Sequence, residues 1–173
     1  GGALLHTGYD MLECLVGLLS MPEAVYAVTG RTPRGTDAPP RDTEDWAAAL
    51  LRYDAGASAV VRSAWDIGRA QETLALYTLG QSLELTRTRV TMIGAGSRGF
   101  QLDIPDGWIS AEMSRFAAVI LDESLRTGRA ARTLRRHLAV SAVLEAAYLS
   151  ARTSHPESPR TFFELENTPE PRS

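Results

Sequence analysis

The sequence predicts an α+β fold, a predominantly antiparallel open sheet of about six strands with helices packed on one face. Three observations predict it. Helical periodicity near the start gives way to short alternating segments between Ala24 and Ile93 and returns only after Gly107, and elements grouped in this way build α+β layers. Most links between successive candidate strands are too short for the crossover that parallel pairing needs. Each helical segment also carries a single apolar face, as a helix lying on a sheet does.

The elements follow in order. Residues 9–19 open after Gly8 and carry Met11, Leu12, Leu15, Val16, Leu18 and Leu19 at helical spacing, with Pro22 as the stop. Residues 24–29 alternate with β-branched side chains and read as a strand, and the Gly-, Pro- and Arg-rich stretch 30–42 reads as a loop. Residues 46–53 and 58–65 flank Asp54-Ala55-Gly56, which suits a hairpin. Residues 73–79, 82–86 and 89–93 continue the strand series. Ser110 is an expected N-cap for a helix with Met113, Phe116, Ala117, Ile120, Leu121 and Leu125 on one face, ending near Gly128. Thr133 is expected to cap the last long helix, which carries Leu134, Leu138, Ala142 and Leu149. One domain is expected over 1–154, followed by a Pro-rich, partly disordered tail over 155–173.

Composition narrows the function classes. The 173 residues carry a net charge of −3 and 44% hydrophobic residues, as a soluble globular protein does. The longest apolar runs are too short to span a bilayer. No basic leader with an apolar segment and a cleavage site is present in the chain. The single cysteine, Cys14, cannot form an internal disulfide and fits a reducing compartment, so a cytoplasmic location is expected. All the basic residues are arginine. An internal lysine Schiff base is therefore excluded, and the acidic balance predicts no nucleic-acid footprint.

Chemistry concentrates at the start, where His6 and Asp10 stand four residues apart beside Gly8, with Glu13 one turn further. With residues 46–59, the turn Leu79-Gly80-Gln81-Ser82, residues 116–128 and Glu145-Ala146-Ala147-Tyr148, this segment resembles the C-terminal, substrate-side domain of the Gfo/Idh/MocA oxidoreductases. The resemblance implies a sugar, cyclitol or related polyol as small-molecule substrate, and a homo-oligomer formed through the open sheet face. It also implies NAD or NADP held by a Rossmann domain that would precede this segment or reside on a separate subunit. This chain is expected to bind no cofactor itself and to lack redox competence alone.

By position, His6 falls where the family usually has Asp, and Asp10 falls where it has the catalytic His. An imidazole, with an ordinary pKa of about 6.5, carries protons near neutral pH, and a carboxyl near about 4 does so poorly. Either a hydrogen-bonded His6–Asp10 pair keeps the chemistry with the base displaced by one turn, or the domain keeps the fold without the standard catalysis. A freestanding ligand-binding or scaffold subunit is the alternative, with a cofactor-free lyase or isomerase using His6 and Asp10 behind it. Tyr9, Arg62, Trp65, Asp66 and Arg69 form the candidate substrate-binding set, since aromatic faces and arginine forks suit polyols and sugar acids.

Other signals have ordinary explanations. Gly94-x-Gly96-x-x-Gly99 follows a strand like a dinucleotide fingerprint, but an alternating segment ended by Pro105 comes next where the fingerprint needs a helix. His6, Asp10 and Glu13 as metal ligands would want further donors. Arg126, Arg129, Arg132, Arg135 and Arg136 read as a solvated helix junction. His137 and His155 have no motif partner, and no chemistry is assigned to them.

Overall fold

The computed structural model describes residues 2–33, 42–54, 56–65, 73–86, 88–94, 100–103, 108–121 and 123–165. Its elements are α1 (Ala3–Thr7), α2 (Tyr9–Leu19), β1 (Ala24–Gly30), β2 (Trp46–Arg52), β3 (Ser58–Ala64), β4 (Thr73–Thr78), β5 (Gln81–Thr86), β6 (Arg89–Gly94), β7 (Phe100–Asp103), α3 (Trp108–Leu121), α4 (Glu123–Thr153) and α5 (Arg160–Leu165). They fall into two units, one of residues 1–66 and 128–173 and one of residues 67–127.

In the first unit β1, β2 and β3 form an antiparallel sheet in that order, with Ala27 opposite Ala49 and Ala49 opposite Val61. Two-residue alternation sends Val25, Ala27, Ala47, Ala49, Leu51, Val61 and Ser63 to a buried face. α1 packs on β2 and β3, and α4 adds Val140, Val143, Leu144 and Ala147 to the core. The opposite face displays Tyr26, Val28, Trp46, Leu50 and Val60, each between 36% and 66% exposed. Trp46 lies over Gly30, where an added Cβ would fall 2.2 Å from its ring.

The outer edge of β1 is covered from within the chain. Val25 exchanges both backbone hydrogen bonds with Glu157 at 2.8 Å, and the Ala27 N–H donates to the buried Ser150 Oγ at 2.9 Å. Pro159 and Phe163 are buried just beyond. The segment expected as a tail therefore begins with a docked stretch.

In the second unit β4, β5, β6 and β7 form an antiparallel meander. Its register aligns Leu76, Leu83, Met92 and Phe100 in one row and Leu74, Leu85, Val90 and Leu102 in the next. The two rows share one face, and Ala75, Glu84, Thr91 and Gln101 lie on the other. Gly80, with φ of +83°, supplies the left-handed residue of the β4–β5 turn.

The α+β class and antiparallel pairing agree with expectation, and the division of strands differs from it. Among the described residues, seven strands in sheets of three and four stand where one sheet of about six is expected. Hairpin-length links tie β4 through β6 together, whereas the longer connection from Trp65 to Thr73 does not oblige β3 and β4 to pair. β7 is the additional strand. α1 was also unforeseen, and α3 starts at Trp108, so Ser110 lies inside its first turn. α4 runs through both Gly128 and Thr133. A helix-interior glycine costs only about 1 kcal/mol, which the surrounding alanines and arginines offset.

Candidate functional site

The corner between α1 and α2 is built around close backbone approach. A Cβ on Gly8 would fall 2.6 Å from the Leu4 carbonyl oxygen and 2.9 Å from Leu4 Cδ1, so only glycine lets the two helices meet there. Glu44 satisfies the start of α1: its backbone carbonyl accepts from Ala3 N–H at 3.1 Å and its Oε1 accepts from Leu4 N–H at 3.0 Å. These are two of the amides that a helix start leaves without intrahelical partners. The same oxygen accepts from the Tyr148 hydroxyl at 2.9 Å. A Cβ on Gly2 would overlap the Glu44 carboxylate. Burial, followed by the bond to Glu44, pushes the Tyr148 pKa up to about 12.

This anchored corner displays the two candidate proton carriers. His6 lies in the last turn of α1 and Asp10 in the first turn of α2, both exposed. His6 meets Trp65 edge-on, with ring centroids 5.9 Å apart at 79°. Trp65 continues the Val61–Ser63 alternation just past β3 and donates its backbone N–H to the Asp45 carbonyl at 2.9 Å. No His6–Asp10 hydrogen bond is present among the described residues. Among those residues, no group of three His, Cys, Asp or Glu side chains is arranged to hold a metal ion.

Tyr9, Glu13 and Gly17 form a stripe of four-residue spacing on α2 that faces consecutive residues of α4. The Tyr9 hydroxyl lies 2.5 Å from His137 Nδ1 with the rings stacked at 25°, and Arg136 reaches Glu13 at 3.9 Å. The Arg136 guanidinium also covers Gly17, 3.2 Å from where a Cβ would be. Burial first, then the Glu13 and Asp10 carboxylates, raise the Tyr9 pKa above the ordinary phenol value.

The structure thus joins Trp65 to His6, and Tyr9 to His137. Arg62 lies on the opposite sheet face, in register with Ala48. Asp66 and Arg69 lie outside the described residues, as do the side chains of Arg126, Arg129 and Arg132. His137 and Glu44 are the additional residues. Nothing local marks His137, whose partner is 128 residues away, and Glu44 sits unannounced in an acidic run before β2.

Residues 95–99 of the Gly94–Gly99 segment lie outside the described residues. β6 before them and β7 after them pair antiparallel.

The sequence matches the GFO/IDH/MocA C-terminal domain over residues 1–92, just over half of the chain. The chain belongs to the Gfo/Idh/MocA family. Members with solved structures share its fold. An oxidoreductase from Agrobacterium radiobacter, solved with NAD+, L-tartaric acid and magnesium, has a TM-score of 0.67 at 18% identity over 92% of this chain and 49% of its own. The WlbA dehydrogenase from Bordetella pertussis, solved with NADH and UDP-GlcNAcA, has a TM-score of 0.56 at 21% identity over 91% of this chain and 45% of its own. Levoglucosan dehydrogenase in its apo form has a TM-score of 0.51 at 19% identity, covering 62% of this chain and 33% of its own. The chain therefore spans half or less of these oxidoreductases. No curated protein matches the sequence. No helix among the described residues is long and apolar enough to cross a membrane.

Proposed function

We propose that this chain is the substrate-binding and oligomerising portion of an NAD(P)-dependent oxidoreductase acting on a sugar, a cyclitol or a related polyol. NAD or NADP belongs to a Rossmann domain in the same protein or on a separate subunit. The carrying observation is the Gly8 corner, which presents His6 against the Trp65 ring with Asp10 in the first turn of the next helix. An imidazole beside an aromatic edge suits a hydroxylated carbon: the ring packs on C–H groups while the imidazole exchanges the hydroxyl proton. His6 and Asp10 are the proton-transfer candidates, and Tyr9, Trp65, Asp66 and Arg69 the substrate contacts. Arg62, on the other sheet face, belongs with the assembly surface.

That surface is the apolar face of Tyr26, Val28, Trp46, Leu50 and Val60. Contiguous exposed apolar side chains on one sheet face favour burial against another copy. The site is tested by titrating D-glucitol, myo-inositol and D-glucuronate into the protein labelled with 15N-histidine. The His6 ring signals are expected to move with at least one of them and to stop moving in Trp65→Ala. No movement with any of the three refutes the substrate role. NADH alone is expected to leave the spectrum unchanged. Sedimentation is expected to give a dimer or larger and Val60→Arg a monomer; a wild-type monomer at micromolar concentration refutes the assembly.

A further inference from the structure

We infer that Tyr9 and His137 form a proton-relay pair serving the hydroxyl of a neutral polyol at the start of α2. The inference rests on reading this unit as a substrate wall, and adds to it a second proton path that does not pass through His6. The phenol oxygen and Nδ1 are 2.5 Å apart, on two residues 128 positions apart in sequence. Both side chains are half-buried. The pair is thus neither sealed in the core nor fully open to bulk water.

The donor and acceptor inventory fits a relay. A phenol oxygen has one proton and spare lone pairs, and a neutral imidazole accepting at Nδ1 carries its own proton on Nε2. When a ligand hydroxyl approaches Tyr9, its proton passes to the phenol oxygen as the phenol proton passes to Nδ1. The products are an alkoxide, a neutral tyrosine and an imidazolium, with no electrons transferred and charge conserved. The reverse passage protonates an alkoxide.

Among the described residues, the charged groups beside the pair are Glu13 and Asp10 on α2 and Arg136 on α4. Arg136 is drawn toward Glu13 at 3.9 Å. The carboxylates and burial also hold the phenol protonated at rest, as a donor must be. With Glu13 engaged by Arg136, the Asp10 carboxylate beside Tyr9 disfavours an anionic ligand, so the ligand class is an uncharged polyol or cyclitol and not a sugar acid.

The test uses long-range proton–nitrogen spectra of the full chain labelled with 15N-histidine. D-glucitol or myo-inositol is expected to shift the His137 nitrogens, D-glucuronate to leave them in place, and Tyr9→Phe, with unchanged circular dichroism, to lose the polyol response. His137→Gln, observed through the Tyr9 ring signals, is expected to lose the same response. If the polyols move His6 alone, or if the His137 shift persists in Tyr9→Phe, the relay is refuted and the substrate wall stands. If D-glucuronate moves His137 as much as the polyols do, the stated ligand class is refuted. If no histidine responds to any probe, both fail.

Discussion

Glu44 is the residue on which the His6 helix hangs, and Glu44→Ala measures how firmly. The substitution removes one carboxylate oxygen that accepts from Leu4 N–H at 3.0 Å and from Tyr148 O–H at 2.9 Å. A hydrogen bond to a charged acceptor contributes about 1.5–3 kcal/mol. Glu44 is only half-buried, so water recovers part of the loss, and the low end applies to each bond, for about 3 kcal/mol together. For a chain of this size each kcal/mol moves the melting temperature by roughly 2–4 °C, so the expected drop is about 9 °C. Glu44→Gln keeps an oxygen that accepts from both donors and is expected to lose less than half as much. Thermal unfolding followed by circular dichroism reads both variants. A Glu44→Ala midpoint within about 2 °C of wild type would show that Glu44 does not anchor α1.

Ser150→Ala strips the acceptor from the Ala27 amide in a fully buried setting and is expected to cost about 1–3 kcal/mol by denaturant titration; a change below about 0.5 kcal/mol refutes the role given to that hydroxyl. Gly30→Ala would put a methyl group 2.2 Å from the Trp46 ring, and is expected to displace that ring, seen as altered tryptophan fluorescence, while the β1–β2 pairing persists. Tyr53 and Tyr148 both have pKa values pushed from 10.0 up to about 12, burial being the first cause in each. A folded pKa above the unfolded value gives stability that is complete below pH 10 and lost as pH climbs through 12; unfolding free energies measured across that window should fall, and less steeply in Tyr148→Phe.

Much of the fold was legible because periodicity is a local property. Residues 9–19 and 46–65 announce their elements by apolar spacing, and the glycine turns at 56 and 80 fix antiparallel neighbours. The ends of helices were less legible. Thr133 and Gly128 have the chemistry of a boundary, yet α4 continues through both because packing of its later turns overrides local preference. α1 escaped notice since five residues with two glycines in front show no helical period, and Glu44, which caps it, is forty positions away. At the candidate site, His6 and Asp10 were visible as chemically apt residues at helical spacing, whereas the approach of His137 to Tyr9 exists only once α4 folds back on α2. Alternation within β3 could have placed Arg62 on the face away from Trp65, since three residues separate them along an extended chain.

The covered margin of β1 restricts how copies of this protein can join. With Val25 bonded through both backbone groups to Glu157 and the Ala27 amide taken by Ser150, these positions offer an incoming strand no partner. Strand addition at these positions is closed off. Removing the stretch that begins at Glu157 would leave the Val25 N–H and carbonyl without these partners and open to an incoming strand.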